Sequence, residues 1–413
     1  MGRGMRNIAI DGSRLWDSLM EMARIGATEK GGNCRLALTD LDREGRDLFI
    51  RWCREAGCAI RIDRMGNIFA RRPGRRDDLA PVVTGSHLDT QPTGGKFDGV
   101  YGVLAGLEVV RALNDHGYET DAPVEVAVWT NEEGSRFAPS MIASGVFAGV
   151  YTLEQGLGCR DLEGRTIGGE LERIGYAGEE PCGGAPIRAY FEAHIEQGPI
   201  LEAEEKTIGV VTGAQGLYWY DITVGGMESH AGSTPMNRRR DPMVGAARMI
   251  GEVNRIARET PGGVTTVGMA QVSPGSRNVI PGQVWFTVDC RHPDPETLAG
   301  MDRAVRGACA GIAGELGLDL EIEVTGHTPT VAFDPEQVDA VRAAAAEAGY
   351  PHMDIVSGAG HDACYINRVA PTAMIFVPCA DGISHNETES ATPEDLAAGC
   401  DVLLRSILTA AEA

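Results

Sequence analysis

The chain has 413 residues, more than a single hydrophobic core usually serves, so two domains are the default expectation. Hydrophobic residues make up 43% of the chain and charged residues 23%, a balance typical of a globular protein with a sizeable core. The formal net charge of -22 repels phosphate backbones and anionic lipids, so we expect neither nucleic acid nor membrane as a partner.

Strand-like and helix-like segments alternate over the first 200 residues. Short apolar runs at 81–85 and 124–130 predict buried strands, and the longer segment 100–113 between them predicts a helix. Segment 159–184 is rich in Gly and polar residues, which predicts helix and loop at the surface. This alternation is typical of an α/β layer with a largely parallel sheet.

After Gly213 the pattern becomes strand-rich, with predicted strands at 217–224 and 283–289 around a helical stretch at 241–257. The α/β pattern then returns, and the predicted elements are a helix at 335–348, a strand at 372–377 and a helix at 393–411.

These segments predict the domain organisation. A main α/β domain, with a mixed, largely parallel sheet and helices on both faces, comprises residues 1–213 and 327–413. A smaller α+β domain, residues 214–326, is inserted into it.

The ten cysteines show no CxxC pair and no regular framework. A chain of this length folds without disulfides, so we interpret them as reduced thiols. Reduced thiols indicate the cytoplasm. No run of 18 apolar residues occurs, which also disfavours a membrane protein.

Polar residues suited to catalysis stand where predicted strands end. In chain order they are His87 and Asp89, Glu132 and Glu133, His194, and His385. In open α/β sheets, sites form outside the carboxyl ends of the strands, so these residues are expected to converge on one cleft.

Asp98 lies in a Gly-rich loop directly before the helix predicted at 100–113. An Asp in this place is often a helix N-cap, and a single Glu or His is often only a solvated surface residue. The combination favours metal binding instead, because three His and three acids supply the ligands that two divalent metals need. Zinc, manganese, cobalt and nickel are the candidates.

Four motifs follow one another in a specific order. They are GSHLDT at 85–90, GGKFDG at 94–99, TNEEG at 130–134 and HIEQG at 194–198. Together they resemble the M20 metallopeptidase clan and, within it, the branch of amidases, hydantoinases and carbamoylases. The resemblance extends from His87 to His385 and covers most of the chain.

The resemblance implies a site for two metal ions per subunit. His87 and Glu133 would each serve one or the other metal, Asp98 would bridge both, and His194 and His385 would complete the set. Every position holds the expected residue type, which argues against a dead active site.

Glu132 would be the general base, because it stands next to an implied ligand without being one. It would take a proton from water and later pass it to the leaving nitrogen. Asp89 would accept a hydrogen bond from the His87 imidazole and so fix its tautomer. A simple turn acid is the alternative role for Asp89.

The inserted domain carries three further residues that match the family. His230, in the motif GMESHAGSTPM at 226–236, would reach the active site of a partner subunit and stabilise the oxyanion. A surface His in a turn is the alternative. Asn278 and Arg291 match positions that hold the substrate carboxylate, a task that suits the planar guanidinium of Arg.

The main domain contributes its own substrate-contacting segments by the same resemblance. They are Gln197 and the loop residues Gly358, Ala359 and Gly360, where Gly permits close approach of the backbone. His361, the next residue, is open to either a functional or a purely structural role.

The resemblance implies a homodimer that hydrolyses the carbamoyl group of an N-carbamoyl amino acid, a small ureido acid, to amino acid, carbon dioxide and ammonia. Closure of the inserted domain over the site would gate turnover.

Three alternatives stay open. The segment 90–97 (TQPTGGKF) looks more like carbamoylases and β-ureidopropionases than like allantoate amidohydrolases, but hydrolysis of allantoate or another ureido acid is the first alternative. A dipeptidase or deacylase is the second. The third is a metal-dependent binding dimer without catalysis, against which the intact Glu132 argues.

Overall fold

The structure is a computed structural model that describes residues 8–412; the first seven residues and Ala413, which fall in the predicted main domain, lie outside it. The chain divides into two compact units. One comprises the described residues up to Thr212 and from Phe333 onward, and the other is Gly213–Ala332. Within the described residues, no helix combines the length and apolar character needed to cross a bilayer.

The α-helices of the described chain are α1 (Gly12–Met22), α2 (Asp40–Glu55), α3 (Val100–Asp115), α4 (Ile142–Phe147), α5 (Leu153–Gly158), α6 (Ile167–Ile174), α7 (Ile200–Ala203), α8 (Pro242–Glu259), α9 (Pro295–Leu316), α10 (Pro335–Ala348), α11 (Asp362–Ile366) and α12 (Pro393–Ala411).

The strands are β1 (Ala59–Ile62), β2 (Ile68–Arg72), β3 (Val82–His87), β4 (Val124–Trp129), β5 (Ala189–Ile195), β6 (Ile208–Ala214), β7 (Gly216–Gly225), β8 (Ser229–His230), β9 (Val264–Thr266), β10 (Ala270–Ser273), β11 (Val279–Ile280), β12 (Gln283–His292), β13 (Asp319–Thr328), β14 (Val331–Ala332), β15 (His352–Ser357) and β16 (Thr372–Val377).

The main sheet of the first unit has the strand order β1-β2-β4-β3-β5-β16-β6, and β15 also pairs with β6. The four central strands β4, β3, β5 and β16 are parallel, and antiparallel strands flank them. β3, β4, β5 and β16 are buried along their whole length, as expected for parallel strands covered on both faces.

Helices cover both faces of this sheet. Gly106 of α3 packs so closely on one face that a Cβ there would lie 2.9 Å from side-chain atoms of Thr84 and Val126. Phe147 of α4 packs on Trp129, with the ring centroids 5.1 Å apart. Val126 and Trp129 are three residues apart on one strand, so they face opposite sides. The predicted fold class of the main domain is confirmed.

The residues at which helices begin explain why several predicted helix bounds match the structure. Helices α8, α9, α10 and α12 all begin with a Pro that follows an N-cap side chain accepting a backbone N–H. The N-caps are Asp241, Asp294, Asp334 and Thr392. Pro has a pre-set φ and no N–H to leave unpaired, so it marks the first helical position in the sequence itself.

The second unit is a layered α+β structure. Its sheet has the order β10-β12-β7-β13, with β9 also pairing with β12, and all these pairs are antiparallel. Alternate residues of β7 and β12 are buried, which places pairs such as Ile222 and Phe286 in one core. Buried residues of α8 and α9, including Met249 and Val305, complete that core.

A fully buried ion pair lies within α2, and its Arg46 also bonds to two loops beside the helix. Arg46 Nε lies 2.9 Å from Asp42 Oδ2, and both side chains have no exposed area. Arg46 also donates to the Gly66 carbonyl (2.8 Å) and to Thr130 Oγ1 (3.2 Å). Arg46 therefore neutralises a charge that has no access to water.

We expect Arg46→Met to lower the free energy of unfolding by about 3–5 kcal/mol, because the Asp42 carboxylate would stay buried without the opposite charge of Arg46. Urea unfolding measures this change. The matched control is Arg248→Met, which removes an exposed pair with Glu315 and should lower the free energy of unfolding far less, because solvent screens that pair. Equal losses in the two variants would contradict the burial argument.

Candidate metal centre

The strands of the first unit bring the predicted ligands to one edge of the sheet. His87 is the last residue of β3, paired with Trp129, and His194 lies within β5, paired with Phe376. This corrects the prediction that both follow their strands: the ladder continues for two residues more than the apolar runs suggested. Glu132 and Glu133 follow β4, Asp98 precedes α3, and His385 lies in the loop after β16.

Asp98 stands at the centre of two groups of possible metal ligands. His87, Asp98 and His194 form the first group, and Asp98, Glu133 and His385 form the second. Within each group, the ligand atoms all lie within 4.8 Å of one another. The structure thus brings together all five predicted ligands, and the two groups share one carboxylate.

The spacing of the donor atoms fits transition-metal ions. With bonds of about 2.0–2.2 Å, neighbouring donors of a tetrahedral site lie roughly 3.3–3.6 Å apart. Asp98 Oδ1 lies 3.7 Å from His87 Nε2 and 3.2 Å from His194 Nε2. His385 Nε2 lies 3.3 Å from Asp98 Oδ2 and 3.5 Å from Glu133 Oε2. Imidazole with carboxylate is also the donor chemistry of zinc and manganese sites.

Backbone carbonyls fix the orientation of two of the histidines. The Nδ1 atom of His87 lies 2.9 Å from the Asp89 carbonyl, and that of His194 lies 2.9 Å from the Ile195 carbonyl. A carbonyl only accepts, so each Nδ1 carries a proton and each Nε2 is turned to the site. Burial lowers the pKa of His87 to about 4, which keeps this imidazole neutral at pH 7.

The Asp89 carboxylate has a different role from the predicted one. It accepts hydrogen bonds from the backbone N–H groups of Glu132 (3.3 Å) and Glu133 (3.2 Å), and it is the Asp89 carbonyl that meets the His87 ring. Asp89 therefore fixes the His87 tautomer through its main chain and holds the neighbouring loop through its side chain. The Asp89 carbonyl and carboxylate can make these contacts because β3 ends at His87.

Asp98 is not a helix N-cap. Gly99 occupies the cap position of α3, with no side-chain cap, and Asp98 is turned to the histidines instead. Gly99 has φ of +66°, and a Cβ there would lie 2.3 Å from the His87 ring. Glycine is required here because the chain must turn sharply against a ligand.

The carboxylates at this centre have strongly shifted pKa values. Burial would raise the pKa of Asp98, but hydrogen bonds from His194 and His385 hold it well below its ordinary value. Burial and the charge of Asp98 raise the pKa of Glu133 well above its ordinary value. Burial, followed by the charges of Asp362 and Glu133, raises that of Glu132. A nearby positive charge would stabilise the ionised form of these buried acids.

Glu132 lies beside the ligands without belonging to either group. Its Oε2 atom is 3.5 Å from His87 Nε2, and the side chain is almost fully buried. This is the position expected of a general base that acts on a group held at the ligands.

Gln197 contacts two residues of the centre. Its Nε2 donates to Asp98 Oδ2 (2.9 Å) and to Ser384 Oγ (3.1 Å). Gln197, Asn131 and His385 all have positive φ without being glycine. Backbone strain of this kind is retained where it sets the direction of functional side chains.

The loop 358–360 is connected to the centre by the next residue, His361. Ser357 Oγ donates to the Ala359 carbonyl (2.9 Å) and accepts from the Ala359 N–H (3.1 Å), which closes the loop on itself. His361 is buried, with its ring centroid 4.6 Å from that of His194 and its Nε2 3.0 Å from Ser357 Oγ. His361 therefore packs on a ligand.

The other three predicted residues lie in the second unit. His230 in β8 pairs with Val279 of β11, and the N–H of Ala231 donates to the carbonyl of Asn278, so His230 and Asn278 are close together. Arg291 lies on β12, where its Nε and Nη2 donate to the Asp289 carboxylate at 2.8 and 2.7 Å.

Sequence reasoning missed three side chains at the centre. Gln91 donates to Glu133 Oε2 (2.6 Å), Ser384 contacts Asp98 (3.1 Å), and Glu389 accepts from backbone N–H groups of the Asp98 loop. Gln91 lies in the segment 90–97 and Glu389 stands four residues after His385. Their short distance in sequence from predicted ligands is the signal that could have identified them.

The sheet edge, the shared carboxylate and the adjacent Glu132 are typical of one class of protein, the metal-dependent hydrolases. The chain belongs to peptidase family M20/M25/M40, whose family model matches residues 83–409. The predicted resemblance to this clan, and to its branch of amidases and carbamoylases, is confirmed by the relatives that follow.

An N-carbamoyl-L-amino-acid amidohydrolase of Rhizobium meliloti is 54% identical over 98% of both chains. Another, from Geobacillus stearothermophilus, is 40% identical over 96% of this chain and 98% of its own. A solved structure of a hydantoinase/carbamoylase family amidase from Burkholderia multivorans has 66% identity, a TM-score of 0.95 and 98% coverage of both chains.

We expect metal binding to tighten as pH rises, because a metal must displace protons from groups such as Glu133, whose pKa is raised by burial and by the charge of Asp98. Titration of the metal-free protein with manganese at several pH values measures this. Asp98→Asn is the control, since loss of the shared ligand should weaken binding at every pH. Affinity independent of pH would contradict this electrostatic account.

Proposed function

We propose that this chain hydrolyses the carbamoyl group of N-carbamoyl amino acids at a centre for two divalent cations. The observation that carries the proposal is the pair of ligand groups sharing Asp98, with Glu132 directly beside them. The relatives from Rhizobium meliloti and Geobacillus stearothermophilus, both named N-carbamoyl-L-amino-acid amidohydrolases, support this choice of substrate.

The residues that would hold the two cations follow from the two groups. His87, His194 and one Asp98 oxygen would hold the first, and Glu133, His385 and the other Asp98 oxygen the second. Bound cations of this kind polarise a carbonyl and lower the pKa of water towards about 7. Zinc, manganese, cobalt and nickel all suit these donors.

Glu132 supplies the proton transfers. Its carboxylate takes a proton from the attacking water and passes it to the amino-acid nitrogen as the bond from that nitrogen to the carbamoyl carbon breaks. The carbamic acid released in this step decomposes to carbon dioxide and ammonia. Burial raises the pKa of Glu132 above that of an ordinary Glu, so the group takes up a proton more readily than a surface carboxylate does. The products are the free amino acid, carbon dioxide and ammonia.

His230 is a suitable donor to the oxyanion. Its Nδ1 accepts from the backbone N–H groups of Gly232 and Ser233, both at 3.1 Å. A nitrogen that accepts carries no proton, so in the neutral ring the proton is on Nε2, which is then a donor. In our proposal this donor serves the metal centre of a partner subunit.

Arg291 and Asn278 are proposed to hold the substrate carboxylate. Asp289 fixes the plane of the Arg291 guanidinium, and the Ser276 hydroxyl donates to Asn278 Oδ1 (3.0 Å), which leaves the amide N–H₂ as the donating end. Gln197 and the loop of Gly358, Ala359 and Gly360 would contact the ureido part of the substrate.

We further propose a homodimer in the cytoplasm. Strand β10 is fully exposed at an edge of its sheet, and Met243 and Val244 of α8 are about half exposed, which are features of a surface that pairs with another chain. All ten cysteines are free thiols, as expected in a reducing compartment.

A substrate panel tests the function. Metal-free protein is incubated with zinc, manganese, cobalt or nickel and with N-carbamoyl amino acids, 3-ureidopropionate, allantoate or dipeptides, and ammonia and free amino acid are measured. We expect metal-dependent release from N-carbamoyl amino acids. Release only from allantoate or only from dipeptides would overturn the proposed substrate.

The matched variant in this panel is Glu132→Gln. It should lower kcat by about 10²–10⁴-fold, because the base is lost, while the metal content stays that of the wild type. A variant that keeps full turnover would exclude Glu132 as the base. No release from any substrate by the wild type would favour a binding protein without catalysis.

Mixing two inactive variants tests the role of His230 across subunits. His230→Ala should lose about 10²–10³-fold in kcat, and refolding it together with Glu132→Gln should restore about a quarter of wild-type activity, since half of the dimers would carry one intact site. Each variant refolded alone is the control. Absence of restoration, with mixed dimers demonstrated, would show that His230 does not act in the partner.

A further inference from the structure

We propose that Glu389 and Ser384 are positioning residues that lock the shared ligand Asp98 to the loop carrying His385. Neither is in a ligand group of the described residues, and neither was singled out by the sequence motifs. The inference rests on the proposed two-cation centre but not on the identity of the substrate.

Glu389 holds the main chain of the Asp98 loop. Its Oε1 accepts from the N–H of Phe97 (2.9 Å) and from the N–H of Asp98 (3.2 Å), and the side chain is buried. Gly95 lies against the same carboxylate, so that a Cβ at Gly95 would be 2.0 Å from Glu389 Cδ. The loop 95–98 therefore packs around the Glu389 carboxylate, which holds it in place.

Ser384 connects the two carboxylates. Its Oγ lies 3.1 Å from Asp98 Oδ2 and 3.2 Å from Glu389 Oε2, and it accepts from Gln197 Nε2 (3.1 Å). One hydroxyl has one proton, so it can donate to only one of the two acids at a time. If Asp98 held a cation, the Ser384 hydroxyl would still have Glu389 as an acceptor.

The arrangement joins two segments that are far apart in the chain. Glu389 and Asp98 are separated by 291 residues, whereas Ser384 and Glu389 flank His385 on a single loop. Through these contacts the distance between Asp98 and His385 is set before any cation arrives. Preset ligands favour binding because less freedom is lost, and changes in such supporting contacts typically alter metal affinity by about 10–100-fold.

Three variants test the inference: Glu389→Ala, Glu389→Gln and Ser384→Ala. We expect Glu389→Ala to weaken manganese and cobalt binding by about 100-fold, and the two milder changes to weaken it by about tenfold. Glu389→Gln keeps the shape and an oxygen for the backbone N–H groups but reverses the hydrogen bond with Ser384. The readouts are competition with a chelator and the visible absorption spectrum of the cobalt form, which reports ligand geometry.

Glu108→Gln is the matched control, because Glu108 is a fully buried carboxylate that accepts from a backbone N–H (Asp11, 2.8 Å) but does not contact the centre. This variant should lower the free energy of unfolding and leave metal affinity and the cobalt spectrum unchanged.

Wild-type affinity and spectrum in Glu389→Gln and Ser384→Ala would overturn the inference even if Glu389→Ala failed to fold. A wild-type protein that binds no pair of metal ions would overturn the proposed function as well, so the two failures are distinguishable.

Discussion

The arrangement of the centre depends on one buried carboxylate. Asp98 meets three imidazoles, each 3.2–3.7 Å away, on both of its oxygens. These contacts lower the pKa of Asp98, whereas burial and the charges of neighbouring acids raise the pKa values of Glu132 and Glu133. Cations placed on the two sides of Asp98 would satisfy all of these groups at once. The electrostatics of the centre therefore favour the binding of cations.

The fold provides this concentration of charge through the direction of its strands. Parallel strands β3, β4, β5 and β16 all end at one edge, so ligands from four remote segments meet there. The surrounding chain fixes them through the main chain: the carbonyls of Asp89 and Ile195 set two tautomers, and the Asp89 carboxylate holds the amides of Glu132 and Glu133. Buried ion pairs such as Arg46 with Asp42 stabilise the layers behind the edge.

Much of this could be predicted because the relevant signals are local. A Pro after an N-cap residue marks the starts of α10 and α12, and an uninterrupted apolar run marks β16, so their predicted bounds agree with the structure. Four of the five proposed ligands stand in short motifs, and the fifth, His385, stands in the loop after the predicted strand at 372–377. The positions of Asp89 and Glu389 were not predictable in the same way. Their partners are backbone N–H groups 43 and 291 residues away, and only the folded chain shows which amides a carboxylate meets.

The central claim is that Asp98 bridges two cations, and anomalous diffraction from crystals grown with manganese or zinc tests it most directly. The account predicts two peaks about 3.5–4 Å apart, one beside His87 and His194 and the other beside Glu133 and His385, with an Asp98 oxygen on each. A single peak, or peaks away from Asp98, would contradict the account.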